Sequence, residues 1–194
     1  REVAGDASAQ IRRTSFGVPH ILASDERGLG YGIGYAYAQD NLCLLADEVL
    51  TVNGERSKYF GAEGKTVEQR DNLDSDLFFT WMNDNVAVNG FLQAQSAPIR
   101  DRLEGYAAGY NRALAERKAQ GLPVECGAGD WVRPITSLDL VKLTRRLLAE
   151  GGIGQFAEAV VAATPPGLAT HRPKADYGVA LARQQAFASE RGSN

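Results

Sequence analysis

Residues 24–61 decide the fold: SDERGLGYGIGYAYAQDNLCLLADEVLTVNGERSKYFG. Glycine stands at every second position from 28 to 34, and a glycine inside a helix costs about 1 kcal/mol relative to alanine. Apolar or small residues nevertheless recur at helical spacing: Tyr31, Tyr35, Ala38, Leu42 and Leu45. Because small residues let another backbone approach closely, the stretch predicts a helix pressed tightly against a neighbouring sheet or helix.

The flanking residues predict how this helix begins and ends. Ser24 or Asp25 can cap its N-terminus, and Gly54 is placed to end or interrupt it. The preceding residues 9–26, AQIRRTSFGVPHILASDE, alternate strand formers around a turn at SFG and predict a hairpin. A two-stranded hairpin is at best marginally stable in water, and no further strand is evident in the chain. The hairpin therefore indicates a sheet supplied from elsewhere.

The remaining patterns are helical. Residues 62–76 read as a polar loop, and residues 77–95 predict a helix with Phe78, Trp81 and Met82 on its buried face. Residues 96–121 give the clearest helix, from a start near Pro98 to Gly121.

A last long helix is predicted after Thr136 or Ser137, either of which can serve as N-cap, with Asp139 in the first turn. Glycines at 151, 152 and 154 predict a break or bend midway, and Pro165 ends the pattern. The fold class that follows is α+β, mostly helical with one N-terminal hairpin.

The composition limits which kinds of partner and environment the chain can have. The net charge is −3 and the 21 basic residues are spread along the chain, which predicts no nucleic-acid partner. No apolar run approaches the ~20 residues of a membrane span. Cys43 and Cys126 could be bonded to each other in an oxidising compartment or be free and buried, and the sequence does not decide between these alternatives.

Motif searches give no complete catalytic site. The glycines at 28–34 do not have the Gly-x-Gly-x-x-Gly spacing of a dinucleotide loop. A serine triad would need His20 or His171, and no Gly-x-Ser-x-Gly elbow is present. His20 follows Pro19 in a predicted strand, so we expect a packed or hydrogen-bonded histidine. Asp71, Asp74 and Asp76 cluster in the predicted loop and are expected to be solvated or to act as helix caps.

A family resemblance adds what composition cannot. Residues 34–61, GYAYAQDNLCLLADEVLTVNGERSKYFG, resemble the helical signature of the penicillin acylase family. Residues 103–114, LEGYAAGYNRAL, and residues 143–156, LTRRLLAEGGIGQF, resemble two further segments of that family in the same order. The similarity is greatest to the acyl-homoserine lactone acylases of the family.

The resemblance implies an N-terminal nucleophile hydrolase, whose secreted precursor cuts itself into a small α chain and a large β chain. This chain would be the α subunit, completing a four-layer αββα fold with a separate β chain that supplies the missing sheet. Residues 1–167 would then be the helical α-subunit domain with its hairpin, 168–192 a linker or spacer, and 193–194 the start of the β chain.

Site residues follow by resemblance. Ser193 matches the nucleophile that becomes active once the Gly192–Ser193 bond is cut. Leu147 and Phe156 match positions that contact the substrate's acyl group. No metal site is expected in this chain: calcium is bound in some members of the family, but the α-chain ligand position is Ala162 here. The resemblance also implies a periplasmic or secreted protein, in which a disulfide can form.

The resulting functional hypothesis is an amidohydrolase subunit. It would hydrolyse the amide bond of N-acyl-homoserine lactones to a fatty acid and homoserine lactone, and could also deacylate β-lactams such as penicillin G. The expected partners are the β chain and an acylated small molecule. No cofactor is expected other than the calcium ion that some members of the family bind. Two alternatives remain, an acylase acting mainly on β-lactams and a non-enzymatic helical interaction module.

Overall fold

The computed structural model describes residues 7–123, 126, 127 and 129–164. A hairpin of β1 (Gln10–Arg13) and β2 (Pro19–Leu22) precedes seven helices in the described part of the chain. The helices are α1 (Glu26–Val52), α2 (Arg56–Phe60), α3 (Asn72–Met82), α4 (Asn85–Gln93), α5 (Ala97–Gln120), α6 (Ser137–Glu150) and α7 (Ala157–Val161). A 3-10 helix, Ile153–Phe156, connects α6 to α7. The mostly helical α+β class is confirmed, as are the hairpin and the three long helices.

The glycines of α1 allow backbone contact with α5, as their spacing predicts. A Cβ added to Gly30 would lie 2.0 Å from the carbonyl oxygen of Arg102. A Cβ added to Gly34, one turn later, would lie 2.1 Å from the carbonyl oxygen of Tyr106. No side chain larger than a hydrogen fits at either position, because atoms cannot approach so closely.

Helix α5 contributes glycines to the same seam. A Cβ on Gly105 would lie 1.9 Å from the carbonyl oxygen of Arg27, and one on Gly109 would lie 2.0 Å from that of Tyr31. The contacting residues advance in the same direction along both helices, so α1 and α5 run parallel. The two backbones are thus in mutual contact over about two turns.

The other two glycines of α1 face the hairpin. A Cβ on Gly28 would lie 2.4 Å from the carbonyl oxygen of Ser8, and one on Gly32 would lie 2.5 Å from Cγ2 of Ile21. Ile21 pairs with Ile11 across the antiparallel hairpin. The four glycines of α1 therefore allow close contact with two neighbours, α5 on one side and the hairpin on the other.

Helix α1 is kinked at Asn41, whose φ of −137° and ψ of 36° are not helical. Two arginines from outside the helix donate to carbonyl oxygens just before the kink. Arg13 of β1 reaches the oxygen of Ala36 at 3.3 Å, and Arg117 of α5 reaches that of Gln39 at 3.2 Å. Side chains that bond to a helix carbonyl are a recognised cause of such bends. The kink lets the two halves of α1 pack against different neighbours.

A disulfide joins Cys43, shortly after the kink, to Cys126 beyond the end of α5, with an S–S distance of 1.98 Å. The bond settles the question that the sequence left open. It lies in the larger core cluster, which α1, α5 and α6 build around the fully buried Tyr110 and Leu114. The α1–α5 pair is therefore held by backbone contact at one end and by a covalent bond at the other.

The prediction for residues 62–95 is partly wrong. Residues 72–76 form the first turns of α3 rather than a loop, and Asn83 and Asp84 separate α3 from α4. Phe78 and Met82 are buried as predicted, but Trp81 is mostly exposed. Helix α3 is rotated relative to the expectation because several polar side chains on its opposite face are buried.

Asp76 explains that rotation. Its carboxylate accepts hydrogen bonds from the backbone N–H of Arg56 at 2.9 Å and from the N–H of Ser57 at 2.7 Å. The buried Arg56 guanidinium in turn donates to Asn72 and to Asp47, at 3.0 Å and 2.7 Å. Asp76 thus acts as a cap, one of the two roles expected for it, but it does so from a buried position on α3 and not from a loop. None of the helices in the described ranges is long and apolar enough to span a bilayer.

Candidate functional site

The predicted acyl contacts lie on α6 and on the 3-10 helix that follows it. Helix α6 begins at a capping box in which the backbone N–H of Thr136 donates to the Asp139 carboxylate at 2.8 Å. This satisfies an N–H group at the helix start and confirms the predicted cap. The helix therefore starts at a fixed point, and its side chains have defined directions.

Asp139 also joins α6 to its surroundings. It accepts hydrogen bonds from Arg133 at 3.1 Å and from the side-chain amide of Asn53, at the C-terminus of α1, at 2.7 Å. Burial alone would raise the pKa of this carboxyl group, but the hydrogen bonds from Arg133 and Thr136 outweigh it and leave the pKa below its ordinary value. The carboxylate is therefore charged near neutral pH.

Two arginines fix the second half of α6, one against the end of α3 and the other against α1 and the segment before α3. Arg145 donates to the carbonyl oxygen of Met82 at 2.6 Å and to the side chain of Asn83 at 3.2 Å. Arg146 pairs with Glu48 of α1 and with Glu68, the latter at 2.9 Å. These contacts hold Arg145 and Arg146 toward the core. The two residues that follow them, Leu147 and Leu148, are therefore directed toward solvent.

Four apolar side chains stand exposed at this end of α6, and we call them the α6-end residues. Their exposed fractions lie between 45% and 69%: Leu147, Leu148, Ile153 and Phe156. Both predicted acyl contacts, Leu147 and Phe156, belong to this set. Leu148 and Ile153 are exposed beside them, and the resemblance assigns neither of these two an acyl contact. Such exposed apolar side chains can contact an acyl chain or a partner protein.

The glycines between the two helical segments allow this arrangement. Helix α6 ends at Gly151, and the chain turns into the 3-10 helix through Gly152. A Cβ on Gly154 would lie 2.9 Å from the carbonyl oxygen of Ala149, so the turn is tight against the end of α6. The predicted break is confirmed, and it places Phe156 on a separate short element after Leu147.

The catalytic residues expected from the sequence are not among the described residues. Ser193 and the Gly192–Ser193 bond lie outside them, as do His171, the linker 168–192 and the predicted chain start 193–194. His20 lies on β2 and is exposed, so the expectation of a packed histidine is wrong.

The described residues also contain no candidate metal site. Within the described ranges, no three His, Cys, Asp or Glu side chains come together in a way that could hold a metal ion. Ala162, at the end of α7, supplies no ligand atom. The residues described here therefore do not fit a calcium ion.

A polar groove of about 230 Å³ lies elsewhere, between α1 and α5. In it the Tyr35 hydroxyl donates to Glu116 at 2.7 Å, and this hydrogen bond raises the pKa of the tyrosine. A hydrogen bond from Arg112 lowers the pKa of Glu116. The groove is lined mainly by charged and amide groups, so it suits an acyl chain less well than the α6-end residues do.

Comparison with known proteins places these features in a family. The sequence profile of the penicillin amidase family matches residues 8–194. The chain is 71% identical to the acyl-homoserine lactone acylase PvdQ of Pseudomonas putida over 97% of its own length and 24% of the relative's. It is 38% identical to the aculeacin-A acylase of Actinoplanes utahensis over 94% of its length and 24% of the relative's. The chain thus spans about a quarter of the length of these curated relatives.

A solved structure supports the fold. A thermostable penicillin G acylase from Alcaligenes faecalis matches with a TM-score of 0.60 and 24% sequence identity. The match covers 87% of this chain and 98% of the matched chain. The hairpin followed by helices is therefore an arrangement that a penicillin acylase also has. Together with the family profile, which matches nearly the whole sequence, these findings show that the chain belongs to the penicillin amidase family.

Proposed function

We propose that this chain is the smaller part of an amidohydrolase that cleaves the amide bond of N-acyl-homoserine lactones, releasing a fatty acid and homoserine lactone. The observation that carries the proposal is the 71% identity to a protein named for that activity. The aculeacin-A acylase, at 38% identity, indicates that the wider group acts on acyl compounds of other kinds.

The larger part of the enzyme would be a separate chain cut from the same precursor. Two findings support this organisation. The relatives are about four times longer than this chain, whereas the matched chain of the solved acylase is covered almost completely. The exposed hairpin of β1 and β2 would then extend a sheet of the larger chain, since a lone hairpin is at best marginally stable.

Ser193 would be the nucleophile. A serine hydroxyl attacks poorly until a base removes its proton, and a free α-amine, with a pKa of about 7.7–8.0, is a base suited to neutral pH. Cleavage of the Gly192–Ser193 bond would turn the amide nitrogen of Ser193 into such an amine. This assignment rests on the Gly-Ser-Asn sequence at 192–194 and on the family membership of the chain.

The reaction would proceed in two steps. The α-amine takes the proton of Ser193 Oγ, which attacks the amide carbonyl carbon. The carbon–nitrogen bond then breaks, and homoserine lactone leaves with the proton on its amine. Water, activated by the same α-amine, hydrolyses the acyl ester and regenerates the serine. The α6-end residues Leu147 and Phe156 would contact the acyl chain, since burying its methylene groups stabilises binding by about 0.8 kcal/mol each.

The compartment would be the periplasm or the exterior. The Cys43–Cys126 disulfide supports this, because disulfides persist in oxidising environments and are rare in the cytosol.

Mass spectrometry and activity of the full-length protein test the proposal together. We expect two chains, the larger beginning with Ser193, and hydrolysis of N-acyl-homoserine lactones. Ser193→Ala should give a single uncut polypeptide without activity. An uncut variant that still hydrolyses the lactones would refute the serine mechanism, and an uncut, inactive wild type would favour a non-enzymatic helical module.

A second candidate is an acylase acting mainly on β-lactams. The chain is 27% identical to the penicillin acylase 2 proenzyme of a Pseudomonas species over 62% of its length. Turnover of long-acyl and short-acyl lactones should be compared with turnover of penicillin G. Equal or faster hydrolysis of the antibiotic would reverse our ranking.

A further inference from the structure

Helix α3 carries an apolar ridge on its solvent side, formed by Leu73, Leu77 and Trp81. These residues follow one another at intervals of four, so they form one line about 12 Å long on the helix surface. Their exposed fractions are 47%, 52% and 56%. The neighbouring exposed residue on this face, Thr80, is also uncharged.

The opposite face of α3 buries polar groups. Asn72, Ser75 and Asp76 are buried together with the aromatic residues Phe78 and Phe79. A surface helix of a globular protein normally shows its polar side to water and its apolar side to the core. Helix α3 partly reverses that arrangement, which is informative because a large exposed apolar patch marks an interaction surface.

The ridge cannot turn inward. Asp76 is bonded to the backbone of Arg56 and Ser57, and Asn72 accepts a further bond from the Arg56 guanidinium. Arg145 of α6 donates to the carbonyl oxygen of Met82 at the end of α3. A rotation that buried Leu77 would break these bonds and leave the buried carboxylate of Asp76 without its partners, which is strongly unfavourable. The ridge therefore needs a cover from outside the described fold.

We infer that the apolar ridge of α3 is a docking surface for the larger chain of the same precursor, which offers it an apolar groove. This rests on the two-chain organisation given under the proposed function. The length of the relatives supports this occupant, because about three quarters of it lies beyond the present chain. A part of that size can cover a ridge that the described helices of this chain leave exposed.

Cysteine labelling in the full-length, processed protein tests the inference. Leu77→Cys places a thiol on the ridge, and Ala119→Cys places one on the exposed end of α5 as a matched control. Both are treated with a maleimide without reductant, so that the Cys43–Cys126 bond stays intact, and the wild type gives the background. We expect the thiol at position 77 to be labelled at least about 100-fold more slowly than the thiol at position 119. Labelling at position 77 requires local opening of the interface between the two chains.

Two outcomes would overturn the inference. The first is equal labelling rates at both positions. The second is protection that disappears on dilution while the two chains remain together, since a second copy of the protein would then be the cover. If the Leu77→Cys protein fails to assemble, Leu73→Cys tests the same ridge one helical turn earlier.

The activity of the same samples separates this inference from the proposed function. Rapid labelling at position 77 in a protein that hydrolyses the lactones would refute the docking surface alone. Slow labelling in a correctly cut protein without that activity would refute the proposed function and leave the docking surface supported.

Discussion

Gly34 of α1 lies against the carbonyl oxygen of Tyr106 in α5, so closely that a Cβ would come within 2.1 Å of that oxygen. Gly34→Ala must therefore separate the two helices or distort one of them. We expect a loss of at least about 3 kcal/mol in the free energy of unfolding, a size typical of overpacked cores at its upper end. Urea denaturation of the full-length protein, followed by circular dichroism, measures it.

Gly90 provides the matched control. It lies in α4, and no atom comes within 4 Å of an added Cβ. Gly90→Ala should stabilise the protein by about 0.5–1 kcal/mol, because alanine is the better helix former. A gain of similar size at both positions would show that helix propensity, and not backbone contact, determines the effect.

The Cys43–Cys126 disulfide closes a loop with a sequence separation of 83 residues. Removing it with Cys43→Ala and Cys126→Ala should lower the free energy of unfolding by about 4 kcal/mol, since a long loop then regains its entropy in the unfolded state. Denaturation of the wild type with reductant should approach the curve of the double variant. A reductant effect of equal size in that variant would point to another bond.

Asp76 caps α2 from a buried position on α3. Asp76→Ala should destabilise the protein by about 2–5 kcal/mol, because it leaves the buried backbone N–H groups of Arg56 and Ser57 without their acceptor. The control is Asp74→Ala on the same helix, where the loss should stay below about 1 kcal/mol, the value of a charge near a helix N-terminus. Comparable losses would contradict the structural role of Asp76.

The stability that Asp139 contributes depends on pH. Its folded-state pKa lies below the ordinary value of 3.8, so the contribution is complete well above that value and is lost as the pH falls through the folded-state pKa. Asp139→Asn should cost about 1–3 kcal/mol at neutral pH, the value of hydrogen bonds to a charged group. Denaturation at a series of pH values should show the difference narrowing only below 3.8. A difference that is the same at all pH values would mean that the charge plays no part.

Leu147 and Phe156 are expected to contact the acyl chain. Leu147→Ala and Phe156→Ala should each raise KM for long-acyl lactones by about tenfold, which corresponds to the loss of a few buried methylene contacts, and should affect short-acyl lactones less. Leu148→Ala, with the same side chain and a similar exposure, is the control. An equal effect at Leu148 would show that the acyl contacts were assigned to the wrong face.

Local signals predict most of the described fold. The glycines of α1 indicate close contact, Asp25 does cap its start, and Thr136 with Asp139 begins α6, because each signal depends on neighbours within one helical turn. The kink at Asn41 is different. It depends on arginines from β1 and α5, and only the folded chain brings these side chains to the helix.

The face of α3 shows a second limit. Its apolar residues occur all round the helix, so periodicity cannot tell which side is buried. The buried side is determined by Asp76 and its bonds to a segment 20 residues earlier, and the opposite apolar side is left exposed by the described part of the chain. The candidate site has the same limit: Leu147 and Phe156 were identified by family resemblance, and their exposure shows that they are accessible to a substrate or a partner.

The parallel seam of α1 and α5 also constrains the order of events during synthesis. The first half of α1 has four glycines and is a poor helix by itself, and its partners Gly105 and Gly109 are made only after α2, α3 and α4. We therefore expect this half of α1 to remain unprotected on the ribosome until α5 has emerged. The hairpin that rests on it can reach its final position only then, so a segment made before α2, α3 and α4 settles after them.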